Sequence, residues 1–416
     1  MSTRLAAPRS LLHHRDFMLL FGAESISVAG TQVGMVALPL VAILTMHAGA
    51  FEVGLLTAAQ TSAFVLIGLP AGVWVDRMRR RPVLITADLA RAALLFTIPV
   101  AFWLDALTLT QLYVVALGAS IGTVFFEVAS QSYLPTLVDR DQLVDGNGKL
   151  ETTRAGAQVA GPSVGGWLVG LVTAPVAIVA DAISYVGSAI FLSRIGAQET
   201  KRSRANRPGL LREIRDGLQY VFADRILRLI ALRSAVANLS YSALIAVQAL
   251  FLVSEVGLSP SGYGASLAAG AVGGLCGGAL IGPLAKRLGS ARIIWLGPVL
   301  FQPFALLIPL TDTGAKVGFF IVGSFFTSIG VVIYNVSQIS FRQATTAEDM
   351  QGRMNATMRF LVWGTMPVGA LLGGTLGEMY GVRVALWFGV LGLVLSIVPL
   401  LFSPLVRMRD LPASAS

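Results

Sequence analysis

The chain has 416 residues, of which 55% are apolar (Ala, Val, Ile, Leu, Met, Phe, Trp, Tyr or Cys) and only 13% are charged. Soluble domains contain about 25% charged residues, so the composition excludes a soluble globular protein and also an intrinsically disordered chain. The formal charge of +9 would suit a nucleic-acid partner only if the basic residues shared one soluble face. They fall instead in the gaps between apolar runs, so we expect no nucleic-acid partner.

Twelve apolar runs are long enough to cross a bilayer, because a membrane-spanning helix needs about 20 mostly apolar residues. They lie near 17–44, 53–75, 82–104, 110–134, 150–171, 174–195, 226–252, 261–285, 290–310, 315–340, 356–379 and 383–406. Residues 1–16 are polar and basic, which predicts a cytoplasmic tail and no cleavable signal peptide. The sequence therefore predicts an all-α polytopic membrane protein.

The basic residues are distributed unevenly between the connecting segments. If the first span enters from the cytoplasm, cytoplasmic segments hold 25 of the 31 Lys and Arg residues, and the other side holds Lys316 and Arg383. Cytoplasmic loops carry such an excess of positive charge. We therefore expect both termini in the cytoplasm and a multi-pass protein of the cytoplasmic (inner) membrane. The preference for Arg over Lys, 27 to 4, together with abundant Ala and Gly, fits a GC-rich bacterium.

The longest connection, 196–225, separates spans six and seven and divides the chain into two similar halves. The segment from Gly72 to Arg81 follows span two, and a similar segment from Gly282 follows span eight, 210 residues later. Such repeats are typical of transport proteins. The sequence predicts two six-helix pseudo-repeat bundles, 17–195 and 226–406, and a cytoplasmic tail, 407–416. The connection itself has apolar residues at helical spacing, which fits either an amphipathic helix on the inner leaflet or a solvated linker helix.

Two motifs carry a resemblance to a known family. The loop after span two has the signature Gly-x-x-x-Asp-Arg-x-Gly-Arg-Arg, except that Arg79 replaces a glycine; its matching residues are Gly72, Asp76, Arg77, Arg80 and Arg81. Span five has a glycine and proline motif that includes Gly161, Pro162, Gly165 and Gly166, with Ala157 in place of one glycine. On these motifs the chain resembles the major facilitator superfamily, and in particular its enterobactin-exporter and macrolide-efflux branch.

The resemblance implies the major facilitator fold, with two bundles around a shared cavity that opens alternately to either side of the bilayer. It implies proton-coupled export (antiport) of a small amphipathic or hydrophobic compound such as a drug, siderophore or natural product. We expect no cofactor, no metal and a monomer. An importer (symporter) on the same fold and a non-transporting membrane sensor remain alternatives.

The motif residues have expected positions in this fold. The loop residues Gly72, Asp76, Arg77, Arg80 and Arg81 would form a cytoplasmic gate, in which Asp76 faces the start of span eleven near Arg353. Asp88 and Arg91 are three residues apart in span three, so they share a helix face and we assign them to the same gate as an ion pair.

Small residues at every fourth position allow helices to approach closely within lipid. We expect a domain seam, the surface along which the two bundles meet, formed by Gly161, Pro162, Gly165, Gly166, Gly274, Gly278, Gly373 and Gly377.

Ionisable side chains inside spans are costly and often mark transport pathways. We select Glu24, Asp181 and Glu127 as candidates for proton coupling, because each carboxylate falls inside an apolar run. Polar groups suited to a central cavity are Gln32, Arg233, Asn238, Tyr241 and Gln248.

Other function classes lack the residues that they need. A phosphate-binding loop requires Gly-x4-Gly-Lys-Ser/Thr, and Gly148-Lys149-Leu150 has neither the leading glycine nor the hydroxyl. The three histidines, His13, His14 and His47, form no cluster of metal ligands with Cys, Asp or Glu. The sequence therefore predicts a protein that is not an enzyme.

Overall fold

The fold is that of a computed structural model, which describes residues 11–139, 142–197, 199 and 210–410. The first bundle contains six long helices: α1 (Arg15–Leu40), α2 (Ala50–Arg77), α3 (Arg80–Trp103), α4 (Leu109–Leu137), α5 (Leu143–Leu171) and α6 (Ala174–Ser193). They correspond to spans one to six. A connecting helix, α7 (Leu210–Ala223), leads to the second bundle.

The second bundle has the same order of spans but more interruptions. Spans seven and eight are α8 (Arg225–Leu250) and α9 (Pro260–Leu288), and span ten is α11 (Val317–Thr345). Span nine consists of α10 (Ile293–Phe301) and a 3-10 segment (Gln302–Leu310). Span eleven consists of α12 (Glu348–Trp363) and α13 (Met366–Tyr380), and span twelve of α14 (Val382–Leu395) and α15 (Val398–Leu401).

Eleven stretches of the described chain are long and apolar enough to cross a membrane. The remaining span, α5, is 29 residues long, but its first half carries Asp145, Lys149, Glu151 and Arg154. Such a helix is stable in a membrane only where its polar half avoids lipid. The predicted all-α polytopic fold is confirmed, and α5 is its polar exception.

Local sequence explains where several helices begin. The Asp224 carboxylate accepts hydrogen bonds from the backbone N–H groups of Ile226 and Leu227 at 2.8 Å and caps α8. Thr108 caps α4 in the same way through the N–H of Gln111. These side chains satisfy N–H groups that have no partner within the helix.

Both bundles end their first span in a short π-helical segment. Val41–Thr45 continues α1 and Phe251–Glu255 continues α8. The backbone bonds agree between the halves: Met46 N–H donates to the Val41 carbonyl, and Val256 N–H donates to the Phe251 carbonyl. The two segments lie 210 residues apart, which is the offset of the repeated loops.

Span nine changes from α-helix to 3-10 helix at Gln302. Pro298, Pro303 and Pro309 lie in this span, and each removes a backbone donor and crowds the preceding turn. The result is an interrupted helix whose break brings Gln302 into the interior, where it is 1% exposed.

The connecting helix α7 packs against the start of span eleven. Val221 is fully buried, and Arg353 pairs with Asp216 of α7 at 3.3 Å. These contacts favour the linker-helix interpretation, with the helix held on the second bundle. The predicted tails 1–16 and 407–416 lie partly, and residues 201–209 of the predicted linker lie wholly, outside the described residues.

Candidate functional site

The two bundles touch at one end of the molecule. A Cβ atom added to Gly54 of α2 would lie 2.9 Å from the Ala370 carbonyl oxygen of α13. On the other side of the cavity, Gly166 of α5 would meet Gly264 of α9 at 3.0 Å. A side chain at either glycine would separate the helices, so glycine permits this closure.

The opposite end, which carries the arginine-rich loop after α2, is open. Nothing lies within 4 Å of a Cβ added to Gly72, Gly148, Gly278 or Gly282. We call this the basic end. From these contacts we infer that the central cavity opens at the basic end and is sealed at the other.

The residues predicted for the seam divide into several groups. The Pro162 carbonyl faces Gly264, and Gly166 and Gly377 also approach the other bundle. Gly161 packs instead on Gln32, Gly165 on Val33 and Gly373 on the Ala243 carbonyl, each within its own bundle. Gly274 has only Val332 of its own bundle nearby, and Gly278 faces open space. Seam glycines that sequence reasoning missed are Gly54, Gly264 and Gly374. Adjacent residues of a helix point about 100° apart, and sequence does not give the rotation of each helix.

Glu24 lies where α1, α4 and α5 meet. Its carboxylate is 3% exposed, accepts a hydrogen bond from the Ser130 hydroxyl, and pairs with the Arg154 guanidinium at 3.2 Å. Arg154 also pairs with Glu151 at 2.8 Å and keeps 28% of its side chain exposed. Arg154 thus connects a buried carboxylate to the open part of the protein.

Arg154 and Ser130 were missed as members of this group. They are 130 and 106 residues from Glu24, and only the fold brings them together. The available signal was the spacing of Glu151 and Arg154, which share one face of α5, and the need of Glu24 for a partner.

A second polar group lies between α3 and α6. Asp88 and Arg91 form an ion pair whose side chains are 0% and 2% exposed. The Arg91 guanidinium lies 4.0 Å from the centre of the Tyr185 ring, and the Tyr185 hydroxyl hydrogen bonds to Thr31 at 2.9 Å. The pair lies inside the first bundle and joins two residues three apart on one helix, as the sequence predicted.

Asp181 and Glu127 have weaker protein partners. Asp181 is 4% exposed and packs against Gly30 and Gly34 of α1, and its Oδ1 atom has no hydrogen-bond partner among the described residues. Glu127 is half-buried and interacts electrostatically with Arg154 of its own bundle and Arg359 of the other. The Glu127 carboxylate therefore interacts with positive charges from both bundles.

The cavity candidates differ in their access to open space. Tyr241 is 48% exposed, whereas Gln32 and Asn238 are half-buried. Gln248 and Arg233 are 5% and 4% exposed. Tyr241 is therefore the most exposed of the five candidates.

The gate residues are tied to their own bundle. The Glu199 carboxylate accepts hydrogen bonds from the backbone N–H groups of Arg80 and Arg81 at 2.7 Å and so caps α3. Arg81 also donates to the Leu192 carbonyl at 3.0 Å, and Arg77 is exposed. The side chain of Asp76 lies outside the described part of the chain, so its predicted contact with span eleven stays a prediction. Glu199 was missed because it lies in the polar connection.

Within the described ranges, no group of three or more His, Cys, Asp or Glu residues is arranged to hold a metal ion. The site contains buried carboxylates, a guanidinium and hydroxyl groups around a cavity. Such groups can bind polar ligands and exchange protons, and they change partners when the helices move.

Comparison with known proteins agrees with this geometry. Residues 6–416 match the family model described as transmembrane secretion effector. The multidrug efflux pump Tap of Mycobacterium tuberculosis is 28% identical, with 96% of each chain covered. Macrolide efflux protein A of Streptococcus pyogenes is 23% identical, covering 84% of this chain and 85% of its own.

Solved structures show the same fold at lower identity. A mutant of the nucleoside transporter NupG has a TM-score of 0.78 at 12% identity, covering 93% of this chain and 100% of its own. A bacterial homologue of the iron transporter ferroportin in the inward-facing state has a TM-score of 0.74 at 18% identity, covering 94% and 99%. The chain is thus a membrane transporter and not an enzyme, and it belongs to the transmembrane secretion effector family of the major facilitator superfamily.

Proposed function

We propose that this transporter exports a small amphipathic or hydrophobic compound in exchange for protons. The observation that carries the proposal is the group of Glu24, Ser130 and Arg154. A carboxylate at 3% exposure is stable as an anion only while its partners compensate it, so gain of a proton and release of Arg154 are coupled events. Glu24 is the proposed proton carrier. Arg154, which is partly exposed to the cavity, is released from Glu24 when that carboxylate becomes neutral.

The closed and open ends give this exchange a direction. With the basic end in the cytoplasm, the described conformation accepts substrate from inside the cell. Substrate binding and loss of the proton favour rocking of the bundles, which opens the sealed end and releases substrate outside. A proton from outside then returns the protein to the described conformation.

Aromatic side chains near the cavity support the proposed substrate class. Tyr241 is exposed, and Phe64 of α2 contacts Trp363 of α12 across the seam, with ring centres 4.5 Å apart. Arg359 lies 5.6 Å from the centre of the Trp363 ring. Aromatic faces beside isolated charges suit molecules that combine an apolar body with polar groups, and the efflux names of the relatives agree with this class.

One proton supplies enough energy for such export. A charge that moves down about 150 mV releases about 3.5 kcal/mol, at about 2.3 kcal/mol per 100 mV. Because about 1.4 kcal/mol corresponds to a factor of ten, this energy supports a concentration ratio of roughly several hundredfold for a neutral substrate.

The test is gradient-driven transport with a matched pair of variants. In inside-out vesicles that contain the protein, a fluorescent amphipathic dye should accumulate only when the vesicle interior is acidified. Glu24→Gln should reduce this accumulation at least tenfold, because the side chain keeps its size but no longer exchanges a proton. Glu255→Gln, at the exposed end of span seven, should leave accumulation within twofold of wild type.

Three results contradict the proposal. Normal gradient-driven accumulation by Glu24→Gln would remove Glu24 from coupling. Accumulation in right-side-out vesicles with an inward proton gradient would indicate an importer. Dye binding without any gradient-dependent flux would indicate a sensor.

A further inference from the structure

Arg233 is an exception among the buried arginines of the described residues. It lies in α8 at 4% exposure, and none of the ion pairs in the described part of the chain includes it. Arg91 and Arg154 each pair with a carboxylate from the first bundle. The charge of Arg233 thus has no acidic partner.

No acidic residue lies near the middle of a span in the second bundle. Between Arg225 and Phe402 the acidic residues number five, and all lie at the ends of spans: Glu255, Asp312, Glu348, Asp349 and Glu378. By the repeat offset of 210 residues, Glu24 corresponds to Ser234, the residue directly after Arg233. The first span of one half therefore carries a buried carboxylate with a basic partner, and the corresponding region of the other half carries a buried arginine without an acidic partner.

Neutral groups surround the guanidinium. One of its terminal nitrogens donates to the Gln302 Oε1 atom at 3.1 Å, and its central carbon lies 3.5 Å from the centre of the Tyr334 ring. The Tyr334 hydroxyl is engaged with Ser234 at 2.7 Å. These contacts orient Arg233, but a tyrosine ring and an amide do not supply a negative charge.

Two hydrogen-bond donors remain free at this point. Arg233 Nε and Gln302 Nε2 are buried and have no partner among the described residues. They belong to two side chains that are already joined by a hydrogen bond at the break of span nine. Buried donors without an acceptor are unfavourable, and two of them beside an unpaired cation define a place for an anion.

We propose that the second bundle holds one small monovalent anion, chloride in the cell, bound by Arg233 Nε and Gln302 Nε2. Burial of both side chains below 5% exposure selects a small ion over a bulky ligand. The bound anion neutralises Arg233 and links α8 to the break in span nine. This site is separate from Glu24, and it does not depend on the proposed direction of transport.

Radiolabelled chloride is the direct probe. Full-length protein in nanodiscs, exchanged into sodium gluconate, should bind one chloride per chain in a saturable manner. Bromide should compete with chloride, and the melting temperature should rise with chloride at constant ionic strength. Arg233→Gln should weaken binding at least tenfold, whereas Arg287→Gln, which removes an exposed arginine at the basic end, should leave it within twofold.

A charge-rescue variant separates binding from folding. Gln302→Glu places a carboxylate beside Arg233, so the protein should fold, lose chloride binding and melt at the same temperature in chloride and gluconate. Absence of saturable chloride binding by wild type would overturn the proposal, as would wild-type binding by Gln302→Glu. Acetate binding tenfold tighter than chloride would overturn the identity of the ligand as a small inorganic anion.

Discussion

Asp88 and Arg91 illustrate how single residues constrain this protein. Their ion pair is essentially unexposed, so each charge depends on the other for compensation. A buried pair contributes little compared with apolar residues of the same shape, but loss of one partner leaves an uncompensated charge. The pair is therefore a requirement for stability more than a source of it.

The Asp88–Arg91 pair leads to a prediction about stability. Asp88→Asn should lower the free energy of unfolding by about 3–5 kcal/mol, because Arg91 stays buried without a counter-charge. The double change Asp88→Leu with Arg91→Met should cost much less than the sum of the single changes. Denaturant titration of the protein in micelles, combined as a double-mutant cycle, measures both effects.

A surface pair provides the control for that cycle. Lys149 and Asp145 form an ion pair at 29% and 55% exposure, and exposed pairs contribute about 0–1 kcal/mol. Asp145→Asn should therefore change stability by less than about 1 kcal/mol. Equal losses for Asp88→Asn and Asp145→Asn would contradict the importance of burial.

At the residue scale, sequence identifies the ionisable side chains that lie inside spans but not the side chains that they pair with. Asp88 and Arg91 are on one helix, so their spacing of three was sufficient to predict the pair. Glu24 and Arg154 are on different helices, and their contact depends on how α1 and α5 rotate about their axes. That rotation is set by close packing, such as Gly161 on Gln32, which no local pattern encodes.

At the scale of elements, α9 connects the closed and open ends of the cavity. Gly264, near its start, packs on the Pro162 carbonyl of α5, whereas Gly278, fourteen residues later, has no neighbour within 4 Å. The same helix thus contains a closed contact and an open one. In the alternative conformation we expect these roles to exchange.

Opposite effects are predicted for the two glycines. Gly264→Leu should favour the conformation open at the sealed end, because the larger side chain prevents closure against α5. Gly278→Leu should favour the described conformation, because it fills space that must close. Distances between spin labels at Arg77→Cys and Arg287→Cys, in a Cys276→Ala background, should shorten for Gly264→Leu and lengthen or stay unchanged for Gly278→Leu.

A shift in the same direction for both glycine variants would contradict the rocking of α9 against α5. The matched design matters because both changes place the same side chain in the same helix. A general loss of stability would affect them alike.

The elements themselves differ in how far sequence predicts them. Most apolar runs match the helices to within a few residues, because hydrophobic length is a direct requirement of the bilayer. Spans five and eleven begin seven and eight residues earlier than predicted, at Leu143 and Glu348, because their first turns are polar.

The break in span nine at Gln302 was not predicted, although Pro298 and Pro303 were visible. Sequence could not decide whether the connecting helix lies on the membrane or on the protein. Its packing depends on tertiary contacts, including the ion pair of Arg353 with Asp216.

At the scale of the whole molecule, the two-bundle architecture follows from repetition. The repeated loops at Gly72 and Gly282 predicted two equivalent halves, and the order of spans is the same in both. The conformational state, in contrast, could not be predicted from the repeat. The open basic end depends on how the two halves tilt relative to each other, and the sequence of either half alone does not specify that tilt.

The topology yields a prediction for the interrupted span. In a Cys276→Ala background, a cysteine in place of Arg287 should react with a membrane-impermeant maleimide only from the cytoplasmic side, and a cysteine in place of Thr313 only from outside. Labelling of intact cells and of inside-out vesicles, followed by a gel shift, gives both results. Reaction of both cysteines from the same side would show that Gln302–Leu310 does not complete a crossing.

The matching π-helical segments, Val41–Thr45 and Phe251–Glu255, have a consequence for the origin of the chain. A π turn is rare and less favourable than regular α-helix, so independent appearance at the same place in both halves would require two insertions at equivalent sites. Inheritance requires one. The shared irregularity therefore favours descent of both halves from one six-helix unit that already contained the extra residue.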